Sequence, residues 1–112
     1  MKLRVFIVAL LIVLPLLGKE GVASHYHDKY HGKKTASGVI YNRDSLTCAH
    51  KTLPFGTKLL VKNLANNKEI TVTVTDRGPF IKNREIDLSY AAADSIGMIP
   101  QGVQKVEYII IK

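Results

Sequence analysis

Asp76 is the residue whose type and position best suit proton transfer. It follows residues 69–75, in which apolar residues alternate with threonine as in a half-buried strand, and it precedes the turn residues 77–79. A carboxyl group at the end of a strand projects from a rigid base. Spacing alone favours a structural interpretation, in which Asp76 caps its own turn, over a general acid. Both interpretations stay open at this point.

Arg77 bears on the same choice. A guanidinium in contact with Asp76 would lower the pKa of the carboxyl by roughly 1–3 units and oppose acid catalysis at neutral pH. Because neighbours in an extended strand point to opposite faces, Arg77 is expected to point away from Asp76.

His50 is a second candidate for proton transfer. It ends the strand-like segment Thr47–His50 and precedes another turn, so it could orient or protonate a partner near neutral pH. An ordinary hydrogen-bonded histidine is the simpler interpretation of the spacing. Cys48, the single cysteine, would share a face with His50, but a buried, small apolar role is favoured over a nucleophile. One cysteine also excludes an intramolecular disulfide.

An early histidine cluster suggests a metal site, but the pattern does not support one. His25 and His27 would share one face of a strand, with His31 nearby. The three lack a recognised ligand spacing, and no nearby carboxylate completes a ligand set. The sequence therefore predicts no metal and no cofactor. The tyrosines among and after these histidines could line a sugar-binding groove or simply pack: Tyr26, Tyr30 and Tyr41.

The segments that must position these residues are short and mostly extended. Residues 58–64 and 69–75 are strand-like and are separated by turn residues, which predicts a β-hairpin. Ser89 is suited to cap a short helix over residues 90–96 that ends at Gly97. Many short strands and one small helix favour a compact β-barrel. The other predicted strands are 22–27, 47–50, 85–88 and 103–111.

The N-terminal segment predicts export. Two positive charges precede an apolar run over residues 5–17, which matches a secretory signal ending near residue 18, or an anchor if it is not cleaved. Lys19 stands where a lipid-modified protein would carry a cysteine, so lipid anchoring is not expected. Residues 19–112 suit one small domain. The predicted location is the periplasm or cell envelope.

The charge balance is basic, with 16 Lys and Arg against 9 Asp and Glu and a formal net charge of +7. A basic surface suits an anionic partner. Nucleic acid is not expected, because the basic residues are scattered and the chain is predicted to be exported. Anionic wall polymers fit that compartment, and solubility alone is the competing explanation.

Four ordered motifs resemble the rare lipoprotein A family from about residue 22 to the C-terminus. They are residues 31–38 (HGKKTASG), 48–57 (CAHKTLPFGT), 74–80 (VTDRGPF) and 86–93 (IDLSYAAA). The resemblance implies a mostly β fold, a six-stranded double-psi β-barrel with one or two short helices, related to expansins. It implies a septal-ring lytic transglycosylase, with Asp76 and His50 as catalytic residues. Five residues are predicted to bind the glycan: Tyr26, Tyr41, Thr35, Ser37 and Arg77.

The resemblance implies a mechanism that needs few carboxyl groups. Ordinary glycoside hydrolysis uses two. In a lytic transglycosylase the 6-hydroxyl of muramic acid attacks the anomeric carbon and closes a 1,6-anhydro ring. Asp76 would first protonate the glycosidic oxygen and then accept the proton of that hydroxyl, so it would begin protonated, with a pKa raised by burial. The implied partners are peptidoglycan strands and division-septum proteins, and the chain is expected to be a monomer.

Val39 departs from the pattern of the family. In many members a Glu that belongs to the active site follows the TASG stretch, whereas this chain carries Val39 there. Loss of that acid favours an alternative function, a non-catalytic module that binds or loosens peptidoglycan as an expansin does. The intact Asp76 and His50 favour the enzyme.

Overall fold

The computed structural model describes residues 18–112. The predicted signal, residues 1–18, lies outside the described residues apart from Gly18. Within residues 18–112, no helix is long and apolar enough to span a bilayer.

The described chain consists of six strands and two short helical segments. A 3-10 turn at Asp28–Tyr30 follows the first strand, and one α-helix, α1, spans Tyr90–Ser95. The strands are β1 (Lys19–His25), β2 (Thr47–His50), β3 (Lys58–Asn63), β4 (Glu69–Asp76), β5 (Ile86–Leu88) and β6 (Gln104–Ile110).

The six strands close into a barrel in the order β1-β5-β2-β4-β3-β6. The pairs β1–β5 and β2–β4 are parallel, and the other pairs are antiparallel. Closure leaves no free sheet edge, which suits a small all-β chain. The predicted mostly β barrel with one or two short helices is confirmed.

The predicted hairpin is formed by β3 and β4. Leu59 and Val61 alternate into the core from β3, and Val72 and Val74 do so from β4, as the two-residue period of a strand requires. Asn67 turns the chain with a φ of 63°, a conformation that Asn tolerates better than most residues.

Strand β1 begins three residues before and ends two residues before the predicted strand 22–27. Residues 19–23 pair with Tyr108 to Gln104 of β6, so non-local pairing extends the strand beyond the segment that its own residues indicate. The predicted strands at β2, β5 and β6 are confirmed to within one residue at each end.

The barrel interior is apolar and contains Cys48, which is 1% exposed. The predicted buried role of this cysteine is confirmed. Burial raises the pKa of its thiol to about 12, so the reactive thiolate is absent at neutral pH. The other large core side chains include Leu59, Val61, Val72, Val74, Ile86, Leu88, Ile96, Met98 and Val106.

Ser89 links β5 to helix α1. Its Oγ accepts the N–H of Ala92 at 3.2 Å, so it is the predicted helix cap. The same hydroxyl donates to the carbonyl of Ser45 at 2.6 Å, and the residue is fully buried. The helix ends at Ser95, one residue before the predicted end, and Gly97 follows with a φ of 72°. One side chain therefore fixes the chain directly after β5.

The substitution Ser89→Ala is expected to lower the free energy of unfolding by about 1–2 kcal/mol, because it removes the cap and the hydroxyl that donates to the partly buried carbonyl of Ser45. Urea denaturation monitored by circular dichroism measures the change. Ser95→Ala is the matched control, since Ser95 is exposed and its hydroxyl contacts only its own helix. That variant is expected to change the free energy by less than about 0.5 kcal/mol. Equal losses in the two variants would contradict the assignment.

Candidate active site

Asp76 lies in the wall of an open groove with a volume of about 420 Å³. The groove is lined by the end of β1 and the turn that follows it, by residues 76–81, and by Arg84 and Asp87. Tyr26 is the predicted glycan-binding residue whose side chain reaches Asp76 there. Phe80 lies at the groove with 84% of its surface exposed, so it presents an apolar face to anything that binds.

Strand β2 determines which side chains face the groove. Ala49 pairs with Asp76 of β4 on one side and with Asp87 of β5 on the other, after a bulge between Cys48 and Ala49. Directly paired residues on neighbouring strands point to the same face of a sheet. The two aspartates therefore flank Ala49 on the outer face of the barrel.

Three hydrogen-bond donors point at the carboxyl of Asp76. Its Oδ1 accepts the backbone N–H of Ala36 at 2.8 Å and the backbone N–H of the next residue, Arg77, at 2.9 Å. Its Oδ2 accepts the hydroxyl of Tyr26. Burial raises the pKa of Tyr26 well above its ordinary value and the bond to Asp76 raises it further, so the phenol keeps its proton and donates. Such an arrangement holds a carboxylate in a fixed position.

The loop of residues 33–41 supplies the Ala36 donor. Thr35 is buried and donates its hydroxyl to the carbonyl of Val39 at 2.6 Å, while the hydroxyl of Ser37 lies 3.1 Å from that of Thr35. The N–H of Ser37 donates to the carbonyl of Thr75, next to Asp76. The structure thus places Thr35 and Ser37 beside Asp76, where their contacts shape the loop. The side chain of Val39 is 53% exposed and is not part of the groove lining.

Tyr26 is supported from behind by Tyr41. The two rings stack with their centroids 4.4 Å apart and an angle of 14° between planes, and both pack with Ala49. The hydroxyl of Tyr41 accepts the N–H of Tyr90 at the start of α1. Of the two tyrosines predicted to bind glycan, Tyr26 lines the groove, and Tyr41 holds the ring of Tyr26 in place.

The side chain of Arg77 points away from Asp76, as expected from the sequence. Its guanidinium donates to the carbonyls of His50, at 3.2 Å, and Leu53, at 2.8 Å, and lies 4.0 Å from the ring centre of Phe55. Among residues 18–112, no ion pair joins Arg77 to Asp76. Arg77 therefore contacts the carboxyl of Asp76 through its backbone N–H and not through its guanidinium.

The structure does not bring the imidazole of His50 to Asp76. His50 pairs with Ile86, a core residue, so it points to the inner face of the barrel and lines a second pocket. Its Nδ1 accepts the N–H groups of Thr52 and Leu53, both at 3.1 Å, which leaves the proton on Nε2 to be donated to the hydroxyl of Tyr108 at 3.0 Å. Burial lowers the pKa of His50, so the imidazole is neutral at physiological pH.

Asp87 is the groove residue that sequence reasoning missed. It alternates in β5 with Ile86 and Leu88, which are fully buried, and so points outward into the groove. Ser24 donates a hydrogen bond to its Oδ1 at 3.2 Å. Burial raises the pKa of Asp87 to about 6. The available signal was a charged residue between two apolar ones, Ile86 and Leu88, in the fourth motif of the sequence. Phe80 and Arg84 were also missed.

The three early histidines each contact a different backbone group. His27 caps the 3-10 turn by accepting the N–H of Lys29, and His31 accepts the N–H of Arg43. His25 lies 3.2 Å from the carbonyl of Tyr26. In the part of the chain that the structure describes, no three potential ligands are placed to hold a metal ion.

Comparison with known proteins identifies relatives over nearly the whole described chain. A family model described as "Lytic transglycolase" matches residues 19–108. The "Endolytic peptidoglycan transglycosylase RlpA" of Pasteurella multocida is 52% identical over 94 residues, covering 84% of this chain and 32% of that protein. Its namesake in Haemophilus influenzae is 54% identical over 88 residues, covering 79% of this chain and 31% of that protein. The chain thus spans about a third of the length of these relatives.

Solved structures share the fold at low sequence identity. The apo form of an expansin from Clavibacter michiganensis matches with a TM-score of 0.68 and 19% identity, covering 86% of this chain and 51% of that one. Cerato-platanin 3 from M. perniciosa matches with a TM-score of 0.62 and 13% identity, covering 84% and 95%. These likenesses concern the barrel alone. The family match over residues 19–108 and the relatives at 52–54% identity show that the chain belongs to the lytic transglycolase family and carries an RlpA-like double-psi β-barrel.

Proposed function

We propose that this chain is a peptidoglycan lytic transglycosylase, which cleaves the bond between N-acetylmuramic acid and N-acetylglucosamine and leaves a 1,6-anhydro ring on the muramic acid. The observation that carries the proposal is the carboxyl of Asp76, fixed by three donors in the wall of an open groove. Relatives that are 52–54% identical bear the name of this activity.

The reaction requires two proton transfers at the scissile bond. One proton goes to the glycosidic oxygen as the bond to the anomeric carbon breaks, and one leaves the 6-hydroxyl as it attacks that carbon. No external water is consumed, so the enzyme has to position only one substrate. Asp76 is the carboxyl that meets the reacting atoms in this proposal. Phe80, exposed at the groove, offers a flat apolar surface to a sugar ring.

The proposed place of action is the cell envelope. The charged and apolar N-terminal segment supports export, and the excess of basic residues suits an anionic wall polymer. In this proposal the chain acts as a monomer on glycan strands, with division-septum proteins as further partners by virtue of the family resemblance.

A non-catalytic binding module is the second candidate. Val39 at the usual Glu position favours it, since the groove receives no acid from that loop. Digestion of sacculi, both intact and stripped of stem peptides, separates the two candidates. Anhydro-muropeptides detected by mass spectrometry support the enzyme. Co-sedimentation with sacculi without any such product would establish the binding module instead.

Asp76→Asn is expected to reduce the rate of anhydro-muropeptide release at least about 100-fold, because an amide can neither give nor take the proton. The variant should still co-sediment with sacculi, since its shape is unchanged. Asp94→Asn is the matched control. Asp94 is an exposed aspartate of helix α1 that does not line the groove, so its loss should leave the rate unchanged. Retained activity in Asp76→Asn would remove Asp76 from the mechanism.

We propose that His50 acts as a positioning residue. Its Nδ1 fixes the N–H groups of Thr52 and Leu53, and the carbonyls of His50 and Leu53 in turn hold the guanidinium of Arg77. Arg77 follows Asp76 and donates its N–H to that carboxyl. The imidazole of His50 therefore fixes the turn after β2, and that turn holds Arg77, whose backbone N–H contacts Asp76.

Protonation of His50 is expected to weaken the fold on the acid side. Its folded pKa lies below its ordinary value, so the unfolded chain binds the extra proton first. The stability contributed by neutral His50 is therefore present above about pH 6.5, the ordinary value, and is lost as the pH falls through the folded value. Urea midpoints of the wild type and of His50→Asn, compared between pH 7.5 and 5, measure this loss.

Asn can still accept the N–H two residues further on, but it does not titrate. The wild type should lose more stability than His50→Asn over this pH range. The titration of Asp87 affects both proteins equally, so it does not contribute to the difference between them. His50→Asn should also retain more activity at pH 7 than His50→Ala, which offers no acceptor. Parallel pH curves, or equal activity in the two variants, would contradict the positioning role.

A further inference from the structure

The groove holds a second carboxyl group to which the mechanism described so far gives no part. Asp87 lies on the face that carries Asp76, and Ala49 stands between the two in the sheet. Two strand spacings separate their backbones, about 10 Å. The residue between them is the small Ala49, and Tyr26 packs against it and contacts Asp76. Both aspartates line the same groove.

We infer that Asp87 is the catalytic acid that protonates the glycosidic oxygen, while Asp76 is the base that accepts the proton of the 6-hydroxyl. This inference rests on the proposed transglycosylase function. It differs from the one-carboxyl mechanism in giving each proton transfer its own residue.

The two carboxyl groups accept different numbers of hydrogen bonds, and the difference matches the proposed roles of base and acid. Asp76 receives three donors, two of them backbone N–H groups, and such donors stabilise a carboxylate. Asp87 receives one donor, the hydroxyl of Ser24. The donor-rich position of Asp76 suits a base, and the buried position of Asp87, with its single donor, suits an acid that must hold a proton before reaction.

The surroundings of Asp87 support a protonated starting state. Burial raises its pKa to about 6, and the carboxylate of Asp76 adds to the increase. The hydrogen bond from Ser24 and the neighbouring His25 and Arg84 act in the opposite direction without cancelling it. Tyr26, directly after β1, also lines the groove, and burial keeps its phenol protonated at neutral pH.

Assignment of two carboxyl groups balances the reaction. The proton of Asp87 passes to the glycosidic oxygen, the bond from that oxygen to the anomeric carbon breaks, and N-acetylglucosamine leaves with a free 4-hydroxyl. The 6-oxygen of the muramic acid bonds to the anomeric carbon, and its proton passes to Asp76. Asp76 then returns one proton, through the solvent in the open groove, to Asp87. Asp87 thereby supplies from β5 the acid that Val39 does not supply from the loop.

The first test is the pH profile of kcat/KM for anhydro-muropeptide release from sacculi. Because Asp87 must be protonated, the wild-type rate is expected to fall about tenfold per pH unit on the alkaline side of about pH 6. Asp87→Asn is expected to lower the rate at pH 5.5 at least about 100-fold and to abolish this alkaline limb. Asp94→Asn again serves as the control, with an unchanged profile.

Ser24→Ala provides a readout that a purely structural role would not change. The Ser24 hydroxyl lowers the pKa of Asp87, so its removal should shift the alkaline limb to higher pH and raise the activity at pH 7 relative to that at pH 5.5.

Thermal melts establish that the variants are folded. Asp87→Asn removes a buried ionisable group, so its melting temperature should exceed that of the wild type at pH 7.5, and the difference should vanish near pH 4.

The outcomes separate this inference from the proposed function. If Asp76→Asn is inactive while Asp87→Asn retains full activity and an unmoved alkaline limb, Asp87 is not the acid and the one-carboxyl mechanism stands. If the wild type releases no anhydro-muropeptides at any pH, the proposed function fails and the role of Asp87 fails with it. Loss of activity in a folded Asp87→Asn, together with the shifted limb in Ser24→Ala, supports the inference.

Discussion

The pairing of β2 between β4 and β5 is the constraint on which the groove depends. Because side chains alternate along a strand, this four-residue strand sends Cys48 and His50 inward and Ala49 outward. The residues paired with Ala49, Asp76 and Asp87, must then share the outer face. Any shift of register by one residue would exchange the faces and carry both carboxyl groups out of the groove. The fold and the site are therefore specified by the same backbone hydrogen bonds.

Sequence reasoning succeeded where the determining contacts are local. The β3–β4 hairpin follows from alternation and a turn, and the Ser89 cap follows from one residue and its neighbours. The closed strand order could not be derived that way, because β1 pairs with β5 and β6, more than 60 residues further on. The number of short strands indicated a compact β-barrel, and the family resemblance supplied its six-stranded double-psi form because it carries non-local information that periodicity does not contain.

The same limit explains the site. Asp76 was found because it stands at a strand end in a recognisable motif, and the direction of the Arg77 side chain away from Asp76 followed from simple alternation. The face taken by His50 depends on its pairing with Ile86, which no local pattern records. Asp87 was overlooked because β5 has only three residues, Ile86–Leu88, too few for alternation to be visible. Thr35 and Ser37 lie beside Asp76, but only the loop contacts show that their hydroxyls are engaged with each other.

The position of Asp87 runs against the requirements of stability. Raising the pKa of an aspartate from its ordinary value to about 6 corresponds to roughly 3 kcal/mol of differential interaction between its two protonation states. Small domains are stable by only about 5–15 kcal/mol, and no intramolecular disulfide assists this one. A neutral residue between Ile86 and Leu88 would pack without that cost. Such local conflicts with stability concentrate where chemistry requires them, and here the conflict lies in the groove beside Asp76.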